Sequence, residues 1–253
     1  MKLRFLGTGT SCGVPQIGCT CEVCRSMDAR DKRLRCSALV ETDFGHRILI
    51  DCGPDFRQQM MGVPFGRIDG VLITHSHYDH IGGIDDLRPF CAMGNVDIYA
   101  DAHSAAHIRQ TLPYCFVEHK YPGVPKIMLH EVQPGHPFEL AGEEIVPFEV
   151  MHGKMPICGY RIGTLTYITD MSYLRPKSYG WVKGTQTLVV NALRPQPHPS
   201  HQSLAEALKF IGHVHPRETY LVHMSHQMGL HADVDSHLPP HIHLAYDGLT
   251  VEC

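Results

Sequence analysis

The segment Thr74-His75-Ser76-His77-Tyr78-Asp79-His80 follows the apolar run Val71-Leu72-Ile73 and carries four metal-competent side chains within six residues. Three imidazoles and a carboxylate at the end of a buried strand are costly to desolvate alone, and a divalent cation is their usual partner. On a loop leaving a strand, alternate residues point the same way, so His75 and His77 can share one ion. Asp79 and His80 then turn toward a neighbouring position. Further ligands stand downstream, each after a short apolar run: His152 after Phe148-Glu149-Val150, Asp170 after Tyr167-Ile168-Thr169, and His223 after Tyr220-Leu221-Val222. Any one of them alone reads more simply as a hydrogen-bonded strand-end residue. Beside the His75–His80 cluster, that simpler reading loses.

A second constellation is Cys19-Thr20-Cys21-Glu22-Val23-Cys24, in an early loop among Gly13, Pro15 and Gly18. Thiols at this spacing read as three ligands of a tetrahedral zinc that needs a fourth. His226, three residues after His223, is the preferred fourth ligand, with Cys36 and Cys12 as competitors.

The elements that must position these groups are mostly strands. Alternation and β-branched content predict strands over Lys2–Leu6, Ser37–Thr42, Arg47–Asp51, Gly70–Thr74, Val96–Tyr99 and Ile145–Val150. Five more are expected over Gly159–Thr164, Leu165–Thr169, Thr187–Asn191, Glu218–His223 and Ile242–Ala245. Helices are expected over Pro54–Met61, Ile84–Ala92, Ala102–Thr111 and Ser200–His213; in the last, Leu204, Leu208 and Ile211 recur at helical spacing. Many strands with intervening helices predict two packed sheets flanked by helices. Asp51, His75, His152, Asp170 and His223 would then gather on one rim. No repeat or linker interrupts the chain, so residues 1–253 read as one domain.

Composition narrows the setting. Hydrophobic residues are 43% and charged residues 19% of the 253, as in an ordinary globular protein. The apolar runs are strand-length, which predicts no membrane span. The opening Met1–Gly7 reads as a strand too short and charged for a signal peptide, so a cytoplasmic location is expected. Net charge is −4 with 22 Lys and Arg scattered along the chain, which argues against long nucleic acid as partner. Twenty histidines and ten cysteines are high, and in a reducing compartment grouped cysteines favour metal over disulfides.

These motifs resemble the metallo-β-lactamase fold superfamily, whose signature is His-x-His-x-Asp-His, then a lone His, a bridging Asp and a last His. The resemblance extends over nearly the whole chain and implies an α/β four-layer αβ/βα sandwich with the site along the sheet edges. It implies one ion on His75, His77 and His152, a second on Asp79, His80 and His223, and Asp170 between them. Asp51, in Leu49-Ile50-Asp51-Cys52-Gly53, matches the first motif and would orient the histidine loop from behind. Within the superfamily the cysteine loop, the opening Leu6–Pro15 and the late Tyr246-Asp247-Gly248-Leu249 resemble the PhnP-like branch of phosphoribosyl cyclic phosphodiesterases. There a structural zinc is held by Cys-x-Cys-x-x-Cys and a His just past the last active-site His, here His226.

The expected activity is hydrolysis of a small cyclic phosphodiester, a ribosyl cyclic phosphate or cyclic nucleotide. Two cations about 3.5–4 Å apart activate a shared water as nucleophile and clamp phosphoryl oxygens. Zn²⁺ or Mn²⁺ fits the donor set, with Fe²⁺ open. The departing ribose oxygen needs a proton, and by resemblance His201, in Pro197-His198-Pro199-Ser200-His201, supplies it. His198 is the weaker candidate, and Asp79 is a catalytic candidate as well as a ligand. Lys154 and Arg88 are candidate phosphate contacts, and the Thr8-Gly9-Thr10 loop a candidate anion nest. Tyr78 is expected to be packed, and Asp247 to support the site from behind. The expected partner is a small anionic phosphodiester, with no membrane and with a homodimer as the open assembly option. The competing activities are a tRNA 3′-processing endonuclease, against which no basic arm lies between His80 and His152, and a thioester or lactone hydrolase.

Overall fold

A computed structural model describes residues 1–119 and 121–253. The first sheet contains β1 (Lys2–Gly7), β2 (Ser37–Glu41), β3 (Arg47–Ile50), β4 (Gly70–Leu72), β5 (Val96–Ala100) and β6 (Ile127–Glu131). The second contains β7 (Phe138–Leu140), β8 (Glu143–His152), β9 (Met155–Ile162), β10 (Leu165–Tyr167), β11 (Thr187–Asn191), β12 (Glu218–Val222) and β13 (Ile242–Leu244). The terminal β14 (Thr250–Glu252) returns to the first sheet beside β1. The orders are β14-β1-β2-β3-β4-β5-β6 and β13-β12-β11-β10-β9-β8-β7.

Three buried clusters separate the layers. Leu3, Phe5, Val40, Ile50, Tyr160, Tyr167 and Val189 fill the space between the two sheets. Leu49, Val71 and Ile98 face Phe56, Ile84 and Ile108 on the outer side of the first sheet. Val150, Leu188 and Val190 face Ala207, Phe210 and Ile211 of the helix Leu204–Val214 on the outer side of the second. Successive side chains of a strand point to opposite faces, so alternate residues of one strand serve different layers. The result is the four-layer sandwich of the metallo-β-lactamase type.

Strand direction creates the rim. β3, β4, β5 and β6 run parallel, as do β10, β11, β12 and β13. β8 is antiparallel to β9, which is antiparallel to β10, so β8 and β10 share a direction. Ligand sites in such sheets form beyond the carboxyl ends of parallel strands. Asp51, His75, Asp170 and His223 all lie just past such ends, and His152 is the last residue of β8.

Three expectations change. The helix predicted from Ser200 begins at Leu204, because a capping box closes it there: Ser203 N donates to Glu206 Oε2 at 2.8 Å and Glu206 N to Ser203 Oγ at 3.4 Å. His201 therefore lies in the extended approach, outside the first helical turn. The segment Ile84–Met93 is 3₁₀-helical rather than α, with Pro89 inside it and lacking an N–H. β6, β7 and β14 were not expected; all are short strands at sheet edges, where partial exposure on both faces leaves no clean alternation. Among the described residues no helix is long and apolar enough to cross a membrane.

Candidate metal centre

The rim gathers two groups of ligand atoms, each within 4.8 Å of one another. One comprises His75, His77, His152 and Asp170; the other Asp79, His80, Asp170 and His223. Asp170 belongs to both. Its Oδ2 lies 3.8 Å from His75 Nε2, while its Oδ1 lies 3.4 Å from His80 Nε2 and 3.2 Å from His223 Nε2. Asp79 Oδ2 stands 3.2 Å from His80 Nε2 and 3.5 Å from His223 Nε2.

Hydrogen bonds around the rim determine which ring nitrogens face inward. Thr74 Oγ1 donates to Asp51 Oδ2 at 2.8 Å, so it can only accept from His75 Nδ1, 3.0 Å away. His80 Nδ1 donates to Asp51 Oδ2 at 2.7 Å, and His152 Nδ1 to the Ser200 carbonyl at 2.8 Å. In the neutral form that a metal needs, all three rings leave Nε2 with a bare lone pair. The Nε2 atoms of His75 and His80 then face carboxylate oxygens, acceptor against acceptor, and His80 Nε2 is buried without a hydrogen bond. His75 Nε2 also sits 3.0 Å from His77 Nδ1. Unless a metal ion or a proton stands between them, the imidazole–carboxylate contacts are repulsive, and sets of this kind suit divalent metals. The residues present fit two ions.

Charge says the same. Burial works against a charged His80, but Asp79, Asp170 and Asp51 outweigh it and raise its pKa well above the ordinary imidazole value. Burial opposes the Asp170 carboxylate, and His223 and His80 more than reverse that, holding it ionised. With no ion present, these buried carboxylates draw a proton onto His80; a bound divalent ion would take that proton's place.

The backbone is bent to build it. Asp51, Asp170 and His223 have φ of 60°, 57° and 58°, the left-handed region that costs a non-glycine residue free energy. This turn redirects each side chain from the sheet onto the rim. Gly53 lets the histidine loop approach, since a Cβ there would stand 2.0 Å from the Asp79 carbonyl.

His201 hangs over the centre on the segment between β11 and the helix Leu204–Val214. Its ring stacks on His223 at 4.9 Å, lies 4.6 Å from His152, and its Nδ1 is 3.8 Å from Asp170 Oδ2. That Nδ1 is buried with no hydrogen-bond partner. Burial pushes its pKa down to about 3, against the pull of Asp170. His198 is the outer neighbour, 5.1 Å from His201 between ring centroids.

The cysteine loop closes on the other predicted set. Cys19, Cys21, Cys24 and His226 place their ligand atoms within 4.8 Å of one another, with His226 Nδ1 3.3 Å from Cys21 Sγ and 3.5 Å from Cys19 Sγ. Backbone N–H groups point at the sulfurs: Cys24 N donates to Cys21 Sγ at 3.5 Å and Gln16 N to Cys24 Sγ at 3.4 Å. The Cys24 N–H and His226 hold the Cys21 thiol down to about 6, which favours the thiolate a metal needs. Neither competitor joins them. Cys36 is buried between the sheets, 3.3 Å from Tyr167 Oη, and Cys12 is exposed.

Other candidates are placed elsewhere. Arg88 donates to Asp85 at 2.7 Å and to the Gly123 carbonyl at 2.6 Å, so its guanidinium is committed outside the cluster. Lys154 is exposed in the β8–β9 turn. The Thr8-Gly9-Thr10 amides are spent on Asp247, Leu34 and Met224, so this loop is no anion nest. Tyr78 is 69% exposed, not packed, because it opens a short helix whose other side carries Asp79 and His80. Asp247 accepts from Thr8 N and Oγ1 and from Leu34 N, which braces the loop paired with Met224 beside His223. Its burial raises it to about 6. Thr74 and the Ser200 carbonyl, which orient His75 and His152, carried no signal in sequence because any residue can offer a carbonyl.

A family model described as the beta-lactamase superfamily domain matches residues 46–224. A crystal structure of a new diphosphatase from the PhnP family superposes with TM-score 0.92 at 36% identity, covering 100% of this chain and 97% of that one. An octanoyltransferase of Porphyromonas gingivalis is 46% identical over 250 residues, 98% of this chain and 51% of its own length. Ribonuclease Z of Acaryochloris marina is 31% identical over 168 residues, 64% of this chain and 47% of that protein. The chain thus spans about half the length of these curated relatives. By sequence and by fold, the chain belongs to the beta-lactamase superfamily and, within it, to the PhnP family.

Proposed function

We propose that the chain is a phosphodiesterase that holds two divalent cations, Zn²⁺ or Mn²⁺ with Fe²⁺ open, and cleaves a small cyclic phosphodiester such as a ribosyl cyclic phosphate or a cyclic nucleotide. The cations, when bound, supply Lewis-acid charge for the phosphoryl oxygens and a nucleophile at neutral pH. Asp170 serves both ions, Asp51 and Thr74 orient His80 and His75, and the Ser200 carbonyl orients His152. The observation that carries the choice of bond is His201. Its unpartnered Nδ1 faces the shared carboxylate; burial keeps the free ring neutral, and the negative charge of a phosphoryl group bound beside it would raise its pKa enough for it to carry a proton to a departing alkoxide. An alkoxide is a poor leaving group and needs that proton; a thioester or a diphosphate needs it less. The similar diphosphatase supports phosphorus as the reacting centre.

A second reading, acyl-ester hydrolysis, draws on the 46% identity to an octanoyltransferase twice as long. One screen separates the two. With Mn²⁺ or Zn²⁺ added, 2′,3′-cyclic nucleotides, ribosyl cyclic phosphate, bis(p-nitrophenyl) phosphate, a pre-tRNA and an octanoyl thioester are offered in parallel. Turnover of the cyclic phosphodiesters is expected; turnover of the thioester alone would transfer the assignment to acyl chemistry.

The cysteine group is assigned one structural zinc. Cys21→Ser should lower bound zinc by about one ion per chain and lower the melting temperature, since structural sites contribute folding energy. Elemental analysis that finds full zinc retention removes this assignment.

A further inference from the structure

Between Leu193 and Leu204 the chain leaves β11, passes over the metal centre and returns to enter a helix. Leu193 N donates to the Gln202 carbonyl at 2.9 Å and Leu204 N to the Arg194 carbonyl at 2.9 Å, which closes the loop's mouth. On the inner limb, His152 binds the Ser200 carbonyl and Gln202 N binds the Met171 carbonyl at 2.8 Å. The outer limb is different. Pro195, Pro197 and Pro199 have no N–H to donate, so this stretch cannot brace itself with turn hydrogen bonds at those positions.

Arg194 does the bracing. Its Nη2 donates to the Pro197 carbonyl at 3.2 Å, and its Nη1 donates to Gln227 Oε1 at 2.7 Å. Gln227 directly follows His226 of the cysteine group. The turn that carries it is sewn to the same strand end, with Ser225 N and Oγ donating to the Leu193 carbonyl at 3.0 and 3.1 Å. Arg194 Nε is buried with no partner, a desolvation cost that a dispensable surface arginine would avoid by turning to water.

We propose that Arg194 is the positioning residue for His201: it clamps the proline-rich loop to Gln227, so that the cysteine group and the proton donor form one mechanical unit. The kinetic part of this inference rests on the phosphodiesterase reading above; the structural part does not. Two separate nitrogens of a planar guanidinium reach two acceptors at once in a fixed fork, whereas a lysine's three donors share one nitrogen and lack that fork.

The test compares wild type, Arg194→Ala, Arg194→Lys and Gln227→Leu on two esters. A 2′,3′-cyclic nucleotide expels an alkoxide and needs the proton donor; bis(p-nitrophenyl) phosphate expels a weakly basic phenolate and hardly does. A general acid is worth roughly 10²–10⁴-fold, so a misplaced one should cost about tenfold or more in kcat on the cyclic nucleotide, with KM nearly constant, but no more than about threefold on the aryl ester. Arg194→Lys should not rescue, and all variants should keep wild-type metal content. In parallel, amide hydrogen exchange at His198, Ser200, His201 and Gln202 should quicken in each variant. Equal losses on the two esters, or unchanged exchange in Arg194→Ala, would overturn the clamp. If wild type cleaves neither ester, the phosphodiesterase reading fails while the exchange measurement still decides the positioning role.

Discussion

Asp170→Asn is expected to cost on the order of 10³-fold in kcat/KM, about 4 kcal/mol of transition-state stabilisation, and to lower metal content in both groups. Asparagine nearly matches aspartate in shape and tolerates the left-handed φ of 57°, so the substitution removes charge without straining the turn. What disappears is the anion that approaches His75, His80 and His223 from the centre. Any ion held by either group would then lose one negative ligand, and the two imidazole sets would meet with less charge between them. The measurement is elemental analysis of protein dialysed against metal-free buffer, paired with turnover at saturating added metal. Two ions retained with turnover within tenfold of wild type would show that Asp170 does not join the groups.

His201→Ala separates placement of a proton from placement of metal. The ring stacks on His223 and meets His152 at a 60° tilt, and it is not a member of either ligand group. Removing it should leave metal content unchanged and lower turnover of a cyclic phosphodiester by about 10²–10⁴-fold. His198→Ala, one ring further out, should cost much less. Turnover equal to wild type in His201→Ala would dismiss the ring as a proton donor and, with it, the argument for an alkoxide leaving group.

Much of this centre was legible in the chain because its ligands obey strand geometry. His75, His152, Asp170 and His223 each follow a short apolar run, and a parallel sheet brings such ends to one edge whatever the loops do. Thr187–Asn191 and Ala102–Thr111 appear at their predicted bounds because their patterns run unbroken between clear stops. The edge strands Ile127–Glu131 and Thr250–Glu252 were invisible, since an edge strand half-exposed on both faces has no period to read. The start of the last long helix was misplaced by several residues, because only the reciprocal Ser203–Glu206 bonding distinguishes a cap from an extended approach.

By itself the sequence determined the donor types, their order and the two-sheet architecture, since side-chain chemistry and hydrophobic period are local properties. Tertiary structure alone decided that Nε2 of His75, His80 and His152 turns inward and that Arg88 and the Thr8–Thr10 amides are spent elsewhere; it also put Asp170, expected between the two groups by resemblance, within reach of both. It also joined Arg194 to Gln227 across 33 positions. Most such pairings join residues far apart in the chain, and their partners are chosen by where packed strands end, which no stretch of sequence encodes alone.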